Sequence, residues 1–137
     1  MTPGEIAGQL ERILTERNPV HYCYLLVERW NTDAVTPDQV ADEILRFMEE
    51  HTDVDLGLPG PLIRFMEQAI AEESYQDSLV RSIQRKPVPY TIWMSERLLK
   101  VTADPARRSR IIRAMRSAKQ NPHATPDLQA EIDQAIS

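Results

Sequence analysis

A chain of 137 residues with net charge −5, four glycines and one cysteine has the length of one ordinary domain, and one domain over 1–137 is expected. That length buries enough surface to fold without a metal or a disulfide, and so little glycine disfavours a β-rich fold with many tight turns. No apolar run approaches the roughly 20 residues that span a bilayer, and Met1-Thr2-Pro3-Gly4-Glu5 has neither the basic nor the apolar part of a signal peptide, so no membrane partner is expected.

The predicted elements are helices, and their starts are legible. Thr2-Pro3-Gly4-Glu5 reads as a Thr N-cap with Glu three residues on, an arrangement that satisfies two orphan backbone N–H groups. Ile6, Leu10, Ile13 and Leu14 follow as one apolar stripe. Residues 20–30 are ambiguous. Val20, Tyr22, Tyr24 and Leu26 alternate like a strand, while Tyr22, Leu25, Leu26 and Trp30 fit a helix. The helix is favoured because no second strand candidate exists to pair with it.

Thr36-Pro37-Asp38-Gln39 opens the next helix, with Val40, Ile44, Phe47 and Met48 as its stripe. The longest loop runs from Asp53 to Pro61, and Gly57, Pro59, Gly60 and Pro61 make it a tight, stiff turn. Leu62, Ile63, Phe65, Met66, Ala69 and Ile70 form a broad apolar face, in a helix expected to close at Glu72-Glu73. Leu79, Val80 and Ile83 follow Tyr75, and Ile92, Trp93, Leu98 and Leu99 follow Pro89. Asp104-Pro105 and Thr125-Pro126-Asp127 open the last two helices, whose apolar residues are Ile111, Ile112, Met115 and Ala118, then Leu128, Ile132, Ala135 and Ile136. The fold expected is all-α, a single domain of seven to eight short helices in a bundle or a HEAT-like stack of helical hairpins.

Signs of catalysis are sparse. His21, His51 and His123 lie far apart and Cys23 has no partner cysteine, so neither metal nor other cofactor is expected. Cys23 lies in an apolar run and reads as a small buried hydrophobe. A lone cysteine also suits a reducing, cytoplasmic setting. Asp53-x-Asp55 and Glu72-Glu73 pair carboxylates, but a catalytic dyad needs them held in a water-poor cleft with divergent pKa values.

The charge is polarised. Residues 1–80 hold 16 Asp/Glu against 5 Lys/Arg, and residues 81–137 hold 5 against 11. Glu49, Glu50, Asp53 and Asp55 suggest an acidic ridge suited to a basic partner. Arg107, Arg110 and Arg113 are three apart on one helix, with Arg108, Arg116 and Lys119 nearby. That face offers an alternative function, phosphate contact on nucleic acid or scaffolding. Overall acidity and the lack of aromatics on that helix make nucleic acid a poor expectation.

Two stretches carry a family resemblance. One is Gly57-Leu58-Pro59-Gly60-Pro61-Leu62; the other combines Ser82-Ile83-Gln84-Arg85-Lys86-Pro87 with Thr91-Ile92-Trp93-Met94. In that order, with Trp30-Asn31-Thr32-Asp33 upstream, they resemble small immunity proteins of bacterial polymorphic-toxin systems. Arg64 stands where that group carries His, and Glu96 where it carries Asn. The resemblance implies a cytoplasmic, non-enzymatic inhibitor that binds a cognate toxin domain and blocks its active site or substrate groove. It implies a structural role for Gly57, Pro59, Gly60 and Pro61, and packing roles for Trp93 and Met94. On that reading Asp33, Asp38, Asp42, Glu49, Glu50, Asp53 and Asp55 would face the toxin, mimicking phosphates or pairing with Lys and Arg. Asp38, Asp42 and Glu49 are expected on the exposed side of one helix.

Overall fold

Proline opens seven of the eight helices, because the first helical residue has no intrahelical use for its N–H. The computed structural model describes all of residues 1–137, and every regular element in it is helical. The helices are α1 (Pro3–Glu11), α2 (Pro19–Thr32), α3 (Pro37–Glu50), α4 (Pro61–Glu67), α5 (Glu73–Arg85), α6 (Pro89–Val101), α7 (Pro105–Ala118) and α8 (Pro126–Ile136), with a 3-10 turn at Arg12–Thr15.

The expected caps form. The side-chain oxygens of Thr2, Asp104 and Thr125 accept the N–H groups of Glu5, Arg107 and Leu128 at 3.2, 2.9 and 3.1 Å. At Thr36, Gln39 Oε1 accepts the N–H of the cap residue at 2.9 Å. Asn18-Pro19 is a further start of this kind that the sequence reading omits; Asn18 Oδ1 accepts the His21 N–H at 3.1 Å. The ambiguous stretch 20–30 lies wholly within α2, where Cys23, Leu26 and Trp30, at helical spacing, are the buried residues.

The chain forms two compact units, Met1–Ile70 and Ala71–Ser137. In the first, α1 packs on α3, α2 on α4 and α3 on α4. Its core includes Ile6, Leu10, Ile44, Met48, Leu62 and Met66, and the ring of Trp30 lies 5.4 Å from that of Phe65 at an interplanar angle of 49°, within the range of favourable tilted aromatic pairs. Leu14 departs from its predicted stripe and is exposed. The chain tightens to 3-10 geometry at Arg12, and three residues per turn carry Leu14 off the α-helical stripe.

In the second unit α5 packs on α7, α6 on α8, and α6 and α7 bridge the layers. Gln76 bonds to Arg107, Asp77 to Arg110, and the carbonyls of Gln84 and Arg85 to Asn121. Both helices advance together along this series, so α5 and α7 run side by side in the same direction. Leu79, Ile83, Ile92, Met94, Leu98, Ile111, Met115, Leu128 and Ile132 form the core, while Ile112, Ala135 and Ile136 are half-buried. In both units helix n lies on helix n+2, as in a helical bundle.

The helix expected to close at Glu72-Glu73 ends at Glu67 instead, and this carboxylate pair opens α5, with Glu72 at the N-cap and Glu73 in the first turn. Negative charge is favourable there, where unpaired N–H groups give the helix its positive end.

Candidate functional site

The division at Ile70 sharpens the charge polarity. Met1–Ile70 holds 13 Asp/Glu and 5 Lys/Arg, a net −8; Ala71–Ser137 holds 8 and 11, a net +3.

In the first unit Asp33, Asp38, Asp42, Glu50, Asp53 and Asp55 are exposed, and Glu49 is not. Only 6% of Glu49 is accessible, and it is engaged within the chain. It therefore does not belong to the acidic ridge or to the exposed side of α3. The helix is packed by both α1 and α4, so its last turns, with Phe47, Met48 and Glu49 all buried, carry a wider covered arc than the turn of Asp38 and Asp42. Asp33 pairs loosely with Arg29 at 4.0 Å. Asp55 is committed locally: its Oδ1 accepts the Gly57 N–H at 2.9 Å, a turn that mimics a backbone bend. Asp42 is engaged within the chain, so of the seven predicted carboxylates Asp38, Glu50 and Asp53 remain outward without such a bond.

The loop carrying Asp53 and Asp55 folds back on itself. Gly57 has φ +84, and a Cβ there would lie 2.7 Å from Gly60 Cα. A Cβ on Gly60 would lie 1.7 Å from the Leu56 carbonyl oxygen, so no side chain fits without moving backbone. The Leu58–Pro59 peptide is cis, Leu58 stands 55% exposed, and Leu56 below it is fully buried. Pro61 is the first residue of α4. Gly57, Pro59, Gly60 and Pro61 thus shape a loop whose acidic side chains and Leu58 face outward.

The chain matches no family model, no curated protein and no solved structure.

In the second unit the basic residues of α7 are largely committed inside the fold. Arg107 Nε donates to Gln76 Oε1 at 2.9 Å and its Nη1 to the Ala71 carbonyl at 3.1 Å. Arg108 donates to the carbonyls of Leu99 and Thr102, Arg110 pairs with Asp77 and Lys119 with Asp133. Arg113 and Arg116 alone on this helix keep exposed guanidiniums without such partners. Between α5 and α7 opens a groove of about 450 Å³, with Arg81 on one wall and Arg110 and Arg113 on the other. Arg81 escaped the sequence reading because it lies on another helix; its spacing of four from Asp77 was the available signal.

Trp93 and Met94 differ in burial. Met94 is fully enclosed, whereas Trp93 is half-buried and the Arg97 guanidinium covers its ring at 4.9 Å from the centroid, a cation–π geometry. No three His, Cys, Asp or Glu side chains converge as a metal-binding group, and no helix is long and apolar enough to cross a membrane. Cys23 is fully buried, and loss of solvent pushes its thiol up to about 12, far from the thiolate a nucleophile needs.

Proposed function

We propose that this chain is an immunity protein that binds a cognate bacterial toxin in the cytoplasm and neutralises it by covering its active site or substrate groove, without chemistry of its own. The observation that carries this reading is the outward acidic surface of Met1–Ile70, where Asp38, Glu50 and Asp53 are exposed on a unit of net charge −8. The resemblance of the Gly57–Leu62 and Ser82–Met94 stretches supports it. A basic substrate groove on the toxin is the complementary surface. Charge pairs desolvated at such an interface couple by up to several kcal/mol, and long-range attraction speeds encounter.

The commitment of Arg107, Arg108, Arg110 and Lys119 to contacts within the chain weighs against nucleic acid as the partner. The test is co-expression with a candidate toxin domain, followed by pull-down and a growth assay. Protection and capture are expected. Changing Asp38, Glu50 and Asp53 together to Lys should abolish both while the helical circular dichroism stays native. Full protection by that variant would overturn the acidic surface as the contact.

A further inference from the structure

We propose that the groove between α5 and α7 is a binding site for a carboxylate-rich peptide segment of a protein partner. Three guanidiniums, those of Arg81, Arg110 and Arg113, border one groove of about 450 Å³. The groove continues into a neighbouring cleft of about 310 Å³ that shares Gln84 and Ser117 and adds Gln120 and Asn121. It is therefore long and open rather than a closed pocket for one small ion.

Three features favour a peptide carboxylate over other anions. The guanidinium fork matches a carboxylate with two parallel N–H···O bonds, and Asp77 on Arg110 already shows a carboxylate seated at the groove edge. Gln84 and Gln120 supply both donors and acceptors along the lining, which a peptide backbone uses and a phosphate backbone, an acceptor only, does not. Val80 and Ala114 are the apolar contacts; with no aromatic ring in the lining, nucleic-acid bases have no stacking platform. Arg113 is the anchor, being exposed and uncommitted, while Arg81 already donates to Ser78 Oγ at 3.3 Å and would turn from that bond to the ligand. This inference does not rest on the toxin reading: a chain that protects against no toxin would still show the binding.

The test uses the full chain, labelled with ¹⁵N and titrated with four probes: a peptide alternating Asp and Glu with Ser, its Asn/Gln counterpart, oligothymidylate and inorganic phosphate. The acidic peptide should shift the amides of Val80, Ala114 and Ser117, saturably and less at high salt. Arg113→Gln and Arg81→Gln should each weaken it roughly tenfold, the loss of one charge-assisted contact. Arg116→Gln, outside the groove lining, should leave it unchanged. The proposal is overturned if millimolar acidic peptide leaves those amides still, or if the Asn/Gln peptide binds as well. It is equally overturned if oligothymidylate or phosphate moves them at lower concentration than the acidic peptide does.

Discussion

The indole N–H of Trp30 donates to the side-chain oxygen of Gln9 at 2.9 Å, tying α2 to α1 beneath a fully buried ring. The Tyr22 hydroxyl donates to the backbone carbonyl of the same Gln9 at 3.1 Å. Gln9 thus satisfies two polar groups of α2, one with its side chain and one with its backbone. Gln9→Leu should strand the indole N–H in the core at a cost of ~1–3 kcal/mol, whereas Tyr22→Phe removes donor and need together and should cost about 1 kcal/mol or less. Urea unfolding of the two variants checks the order; equal losses would contradict it.

Gly60 and Gly57 call for different penalties. The Cβ of Gly60→Ala would strike the Leu56 carbonyl oxygen, backbone that cannot turn aside like a flexible side chain. Displacing that loop should cost about 2–4 kcal/mol. Gly57→Ala meets the Cα of Gly60 and also a φ of +84, so it too should destabilise, by at least ~1 kcal/mol from the backbone alone. Thermal midpoints measured beside Gly8→Ala, where a Cβ meets nothing within 4 Å, provide the comparison. A Gly60→Ala protein as stable as Gly8→Ala would refute the close approach.

Cys23 makes stability fall with alkaline pH. Its thiol is raised from 9.0 to about 12 by burial, so above 9.0 the unfolded chain releases a proton that the folded chain keeps. The unfolded state then binds fewer protons, and stability decreases as pH rises from 9.0 towards 12, being fully present below 9.0. Cys23→Ala should remove this slope, although it opens a small cavity and lowers stability at every pH. A disulfide reagent at pH 8 should label native Cys23 only as fast as the chain opens; prompt labelling would refute its burial.

The Asp77–Arg110 ion pair bridges α5 and α7, yet its side chains are 35% and 43% exposed. Solvent screens such a pair, so Asp77→Asn should cost less than about 1 kcal/mol. The same change removes the one carboxylate paired at the groove wall. It should therefore tighten binding of the acidic peptide while barely moving the unfolding midpoint, a combination that denaturation and the amide titration measure separately.

The helix starts were legible because they are local. A cap residue, its proline and the N–H it receives lie within three positions, so Thr2, Thr36, Asp104 and Thr125 declare themselves without knowledge of the fold. Apolar spacing likewise made the all-α class legible, since a stripe at helical period has to face something. It failed at Leu25, which α2 leaves exposed, and at Leu14, where the winding changed from α to 3-10 and the spacing lost its meaning. The boundary at Glu67 was missed for a related reason: apolar residues continue to Ile70 although the helix does not, and the carboxylates that seemed to end one helix begin another.

By itself the sequence determined how many charges of each sign the chain carries and which segments coil. Only tertiary packing decided which of those charges solvent sees. Glu49 and Glu50 are neighbours of one type, yet the first is enclosed and the second exposed, because α1 and α4 cover one side of α3 and not the other. Arg107, Arg110 and Arg113 look alike along α7, yet Gln76 and Asp77 of the parallel α5 take the first two and leave the third at the mouth of a groove. A pairing across more than thirty residues depends on where two helices settle against each other, and that is set by the burial of their apolar faces rather than by the charges themselves.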